Sequence, residues 1–188
     1  MMSEDKRQDI LRATLDLISE HGFHGTPMAM IAERAGVGAG TIYRYFENKE
    51  SLIDELFFGL KRDLSEAMLA GFEDQATLID KVRMLWLNTL NYCIQHPQEM
   101  LFIEQYHSSP YLTPESEEAS MRVFAPVFAE LQSAIQAGLV KDLPFEMYFV
   151  LTYDFAVALA KYHISGKLEL TDAVKAQAFS AVWDAVRA

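Results

Sequence analysis

The run Gly36-Val37-Gly38-Ala39-Gly40-Thr41-Ile42-Tyr43-Arg44-Tyr45-Phe46 sets three glycines on alternate positions directly before aromatics and an arginine. Glycines ahead of a helix can cradle a phosphate, and that chemistry would make the chain an enzyme or a switch. A dinucleotide loop needs a strand before its glycines and a third glycine in the spacing G-x-G-x-x-G. Here a helical pattern precedes Gly36, and Thr41 stands where the third glycine would be. The other phosphate loop needs Gly-Lys followed by Ser or Thr, which the chain lacks. The remaining reactive residue types are no better placed. His21 and His24 flank a glycine at a helix end without carboxylates at ligand spacing, and His96, His107 and His163 are scattered. Cys93 is alone, and Glu115, Glu117 and Glu118 form the acidic run that suits a helix start. With no nucleophile elbow or zinc spacing, these residues argue against an enzyme and call for neither cofactor nor metal.

The second use of a glycine run is a turn between two helices, and the surrounding elements fit it. Ile10, Leu11, Leu15, Leu17 and Ile18 recur at helical spacing and stop at Gly22, which predicts a first helix over about residues 4–21. Thr26-Pro27 is a helix-start pair, with the Thr26 hydroxyl as N-cap, so a short helix fits 27–35 and ends at Gly36. A second short helix fits 39–45. Asn48 then caps a long helix that begins at Lys49 and carries Leu52, Ile53, Leu56, Phe57, Leu60 and Leu64. Small Ala32 and apolar Ile31, Ala35, Val37 and Ile42 complete a helix-turn-helix pattern.

Beyond it, helical patterns cover 77–95, 98–107, 113–137, 144–165 and a last segment from Thr171-Asp172, with Pro or Gly at each break. No strand signal, internal repeat or long linker interrupts them. The expected architecture is all-α, with about nine helices: a head of residues 1–47 joined through the helix at Lys49 to a larger bundle of residues 48–188.

Composition agrees with a compact helical protein. Of 188 residues, 51% are hydrophobic, yet no apolar run approaches the roughly 18 needed to cross a bilayer. The charged N-terminus leads into a helix without a secretory pattern and Cys93 has no partner, so a reducing cytoplasm is expected. A net charge of −11 is unfavourable for meeting nucleic acid, but it is unevenly spread. Residues 1–50 hold six Lys/Arg against eight Asp/Glu, whereas residues 51–188 hold ten against nineteen. A local basic face in the head is compatible with that balance.

The run from Ile10 to Phe57, above all TPMAMIAERAGVGAGTIYRYFENKESLIDELF, resembles the N-terminal DNA-binding domain of the TetR family of transcriptional regulators. Thr41-Ile42-Tyr43, Tyr45-Phe46 and Asn48-Lys49-Glu50 match that family's signature. The resemblance implies a homodimer that binds a palindromic operator on double-stranded DNA, usually represses, and releases when a small molecule enters the larger domain. It implies that Gly38, Ala39, Gly40 and Thr41 open the recognition helix towards base edges. Thr26, Tyr43, Tyr45 and Lys49 would contact phosphates, and Arg44 the backbone or a base. Ala39 and Gly40 carry no hydrogen-bonding side chain, so discrimination there rests on close backbone approach, methyl contact and water. Each assignment has a plainer counterpart, with Thr26 a simple cap and Tyr43 a packed core ring. A helical adaptor that uses the head for protein contacts is the rival reading, and specific operator binding separates the two.

The larger domain holds most of the aromatics. Trp86, Phe102, Tyr106, Phe124, Phe128 and Tyr153, with polar neighbours such as Asn88 and Gln105, are either core or the lining of a mostly apolar small-molecule pocket. The acidic balance disfavours an anionic effector. Two late segments are rich in alanine, which lets helices pack closely. The resemblance makes them the dimer interface through Phe155, Ala156, Leu159, Ala160, Ala178 and Val182; packing within one chain is the alternative.

Overall fold

The computed structural model describes residues 2–188, with side chains from Asp5 onward. Among the described residues it has eleven α-helices and no strand, only an isolated bridge between Val140 and Arg187. They are α1 (Met2–His21), α2 (Met28–Arg34), α3 (Ala39–Ile42), α4 (Lys49–Leu69), α5 (Leu78–Gln95), α6 (Pro97–His107), α7 (Pro114–Met121), α8 (Ala125–Gln136), α9 (Phe145–Phe149), α10 (Phe155–Ile164) and α11 (Asp172–Val186). Two of the long helices expected from periodicity are interrupted, which accounts for eleven where about nine were predicted. A 3₁₀ turn (Arg122–Phe124) divides α7 from α8, and a π-turn (Val150–Asp154) divides α9 from α10. Hydrophobic spacing does not register such a change of winding, because the apolar face continues through it.

The chain packs as two compact units. The first takes residues 1–62 and 97–120, the second residues 63–96 and 121–188. This grouping differs from a division at residues 47 and 48, because α6 and α7 pack with the N-terminal helices and α4 passes from one unit into the other.

In the first unit Ile10, Ala13, Leu17, Ile31, Ala32, Ile42, Phe46 and Leu52 form one buried cluster drawn from α1, α2, α3, the segment after it and α4. α6 lies along α1 and sets Phe102 edge-on against Phe23, with ring centroids 5.5 Å apart. Tyr106 on α6 stacks on Phe57 of α4 at 3.8 Å. In the second unit α5 packs along α10 and α11, with Trp86, Leu90, Ala156, Val157, Ala160, Phe179 and Val182 buried. A further cluster joins Ala134, Val140, Tyr148 and Val186.

Candidate nucleic-acid interface

The turn between α2 and α3 is built from backbone chemistry that the sequence dictates. Ala35 caps the C-terminal end of α2, and Gly36 follows with φ +66°, the left-handed conformation glycine adopts without a side-chain clash. Its N–H reaches the Glu33 carbonyl at 3.1 Å, and the Val37 N–H reaches the Ala32 carbonyl at 2.9 Å. This pair of bonds is a Schellman closure, which satisfies the last carbonyls of α2 and turns the chain sharply. The backbone is extended at Gly38, and α3 starts at Ala39. Ile42 is fully buried against the cluster below, so the opposite side of α3 faces outward. The short helix ends at Ile42 and continues as turns, rather than reaching residue 45 as α-helix.

Gly38, Ala39, Gly40, Tyr43 and Arg44 are exposed, while Thr41 and Tyr45 are half-buried. Tyr43, for which a packed ring was the alternative, is 56% exposed. A Cβ built on Gly40 meets no atom within 4 Å, and one on Gly38 meets only the Thr41 hydroxyl at 3.7 Å. Neither glycine is demanded by packing within the protein.

Two residues expected beside them are held differently. Thr26 is fully buried, and its hydroxyl donates to the carbonyls of Gly22 at 2.9 Å and Leu17 at 3.2 Å. The N-cap of α2 is Pro27, without a side-chain cap bond, so Thr26 braces the end of α1 instead of capping α2. Lys49, at the first turn of α4, donates its ammonium to the Phe23 carbonyl and is half-buried. Burial lowers its pKa below the ordinary lysine value, and neighbouring Glu50 opposes the shift. The start of α4 is fixed as expected: the Ser51 N–H meets Asn48 Oδ1 at 2.8 Å, and the Asn48 N–H reaches back to Ser51 Oγ at 3.2 Å. Arg34 forms a two-pronged pair with Glu20 at 3.0 and 3.2 Å, tying α2 to α1.

The aromatics expected to line one pocket sort into separate groups. Phe102 and Tyr106 belong to the first unit and are fully buried there. The Tyr106 hydroxyl donates to Asp54 Oδ1 at 2.8 Å and lies 3.2 Å from the Tyr111 carbonyl; burial pushes its pKa up to about 12. In the second unit Trp86 lies beside Phe155 and Phe179, Phe128 packs edge-on against Phe145 at 5.0 Å, and Tyr153 stacks on Phe149 at 4.6 Å. Phe124 is buried at the 3₁₀ turn.

The alanine-rich helices also divide by face. Ala156, Ala160 and Val182 are buried within the chain, unlike the expectation that they form an outward contact face. Phe155, Leu159 and Ala178 are half-buried, whereas Ala158 and Tyr162 on α10 and Ala181 on α11 are exposed. Among the described residues no cluster of three or more His, Cys, Asp or Glu is placed to hold a metal ion, and no helix is long and apolar enough to cross a membrane.

A buried cluster among the N-terminal helices, a Schellman turn and an outward-facing α3 define a helix-turn-helix DNA-binding protein. The family model for bacterial regulatory proteins of the tetR family matches residues 10–56, and that for the tetracyclin repressor-like C-terminal domain matches residues 78–187. The chain belongs to the TetR family of transcriptional regulators.

A TetR family transcription regulator from Marinobacter aquaeolei has a similar structure, with TM-score 0.93 and 28% identity over 98% of this chain and 96% of that one. The uncharacterized HTH-type transcriptional regulator YhgD of Bacillus subtilis is 26% identical over 90% of this chain and 95% of its own. The regulator FadR of Bacillus subtilis, crystallised in complex with stearoyl-CoA, shares the fold at TM-score 0.72 and 18% identity, over 95% of this chain and 98% of that one.

Proposed function

We propose that the chain is a cytoplasmic homodimeric repressor without a catalytic role, which binds a palindromic operator through α3 and is released by a small effector. The observation that carries the DNA-reading part is the exposed run Gly38-Ala39-Gly40 at the leading edge of α3, followed by exposed Tyr43 and Arg44. Gly40 lies inside α3, where a glycine that no internal packing requires weakens the helix, and an approaching duplex supplies a reason for it. Ala39 and Thr41 offer methyl groups to thymine, and Tyr43, Tyr45 and Arg44 supply phosphate contacts beside the groove. Thr26 and Lys49 serve the interface from behind, by fixing the ends of α1 and α4.

Two heads are needed to read a palindrome, at half-sites roughly 34–36 Å apart. The outward faces of α10 and α11, with Ala158, Tyr162 and Ala181, fit the self-complementary contact of a two-fold dimer. The effector reading rests on the aromatic interior of the second unit and on the fold shared with FadR, which holds stearoyl-CoA. α4 follows α3 in the chain and runs from Lys49 into the second unit, so a change of its position is a route to the recognition helix. Couplings of about 1–3 kcal/mol would lower operator affinity some 5- to 150-fold.

Selection of binding sites from a random duplex library tests this reading. Enrichment of an inverted repeat by the wild-type protein, lost in a variant with Tyr43 and Arg44 both changed to Ala, is the expected result. A library that stays random after repeated rounds would leave the protein-contact adaptor in its place.

A further inference from the structure

Among the described residues, two buried side-chain polar atoms lack a hydrogen-bond partner, Glu55 Oε1 and Trp86 Nε1. For Glu55 the deficit is partial, since its other carboxylate oxygen takes Arg7 at 2.5 Å. For Trp86 it is complete, because the indole N–H is the side chain's only polar group and it can only donate. The residue is 2% exposed, so bulk water does not serve the N–H either. Buried donors without an acceptor are rare in native proteins, and each calls for a reason.

The surroundings of the indole ring offer one. Trp86 lies on α5, with Phe155 and Phe179 beside it at ring-centroid distances of 6.4 and 6.0 Å. Both distances fall at the wide end of the aromatic contact range. Phe155 is the first residue after the π-turn Val150–Asp154, and that turn packs against both α5 and α11. A π-turn weakens a helix and persists most often where a site needs the altered winding. The ring that carries the unpartnered donor and the helix rewound at Val150–Asp154 thus pack together, from independent observations.

We infer that Trp86 Nε1–H is the anchoring hydrogen-bond donor of the effector site, and that the effector is a flat, mainly apolar molecule carrying an exposed carbonyl or carboxylate oxygen. The inference rests on the proposed effector role of the second unit and gives it a chemical class. The rings of Phe155 and Phe179 supply apolar contact, and the indole N–H selects for the oxygen. A hydrocarbon of the same shape leaves the donor unpaired, which is the stronger source of discrimination in a buried site. Arg83, one turn earlier on α5, stands 5.0 Å over the Phe179 ring and is paired with Asp80 at 3.0 Å. Its charge is already engaged by Asp80, so a carboxylate and a ketone alike rely on Trp86.

The test uses three compounds on one carbon frame, 2-acetylnaphthalene, 2-naphthoate and 2-isopropenylnaphthalene, titrated into the full-length protein. The expected result is that at least one of the oxygen-bearing pair binds about fivefold or more tightly than the hydrocarbon, and that Trp86→Phe abolishes this ratio while keeping the hydrocarbon's affinity. In the unsubstituted ¹⁵N-labelled protein, the same compound should move the Trp86 indole resonance, with that of Trp183 as internal reference. No binding by any of the three, equal binding by all, an unmoved Trp86 resonance, or a ratio that survives in Trp86→Phe would each overturn the assignment. Operator titrations with the same compounds read the regulatory proposal separately. A shifted indole resonance with unchanged operator affinity keeps the donor and removes the control.

Discussion

Tyr106 on α6 donates its phenolic hydrogen to Asp54 on α4 at 2.8 Å while its ring stacks on Phe57, one turn further along the same helix. α6 also lies along α1. One residue thus joins α4, the helix that follows α3, to a helix packed along α1.

Removing the hydroxyl tests that join. Tyr106→Phe keeps the stack and loses the bond to Asp54, so unfolding by denaturant should show a loss of about 1–2 kcal/mol at neutral pH. The folded protein holds this phenol's pKa up to about 12, against an ordinary value of 10.0. Between those values the unfolded chain has released the proton and the folded one keeps it. The contribution of Tyr106 is therefore complete below pH 10 and lost as the pH rises towards 12. The stability difference between wild type and Tyr106→Phe should shrink over that window, and a constant difference would mean that Tyr106 titrates alike in both states.

Gly40 and Gly36 should respond in opposite ways to alanine. Gly40 has open space around its missing Cβ, so Gly40→Ala should raise stability by about 0.5–1 kcal/mol, as expected at a helical glycine. If DNA approaches closely there, operator affinity should fall at the same time. At Gly36 the φ of +66° is strained for alanine, and Gly36→Ala should destabilise the head by about 1 kcal/mol or more. Thermal denaturation and fluorescence anisotropy on a selected operator, run on both variants, separate the two roles.

Arg44 and Lys49 are distinguished by salt. If Arg44 is a phosphate contact, Arg44→Ala should reduce the slope of log affinity against log salt by about one per subunit with little change in stability. Lys49→Ala removes the bond to the Phe23 carbonyl instead. It should lower the melting temperature while leaving the slope near the wild-type value. A flattened slope in Lys49→Ala with unchanged stability would return that lysine to the phosphate backbone.

The two faces of the late helices predict different failures. Tyr162→Glu and Ala181→Glu place charge on exposed positions and should give folded monomers with weakened operator binding, by sedimentation and circular dichroism. Ala160 lies on the buried face of α10 and is 1% exposed, so Ala160→Glu should fail to fold stably, whatever the oligomer. Dimers that persist in both surface variants would place the interface on another face.

Local chemistry made the head readable from its sequence. Gly36 ends α2 because only a left-handed residue closes the Schellman turn, and Asn48 starts α4 through a bond to Ser51 three residues on. Helical spacing likewise identified the all-α class and the apolar faces. These features depend on residues a few positions apart, whose geometry the backbone enforces. The tertiary structure alone decided the rest: that Thr26 and Lys49 turn inward to carbonyls of Leu17, Gly22 and Phe23, that Ala156, Ala160 and Val182 face their own α5 or its neighbours, and that a π-turn sets Phe155 beside Trp86. A hydroxyl, an ammonium or a methyl carries no mark of which way it will face. That choice is made by the partner that packing brings to it, and such partners lie far away in the chain.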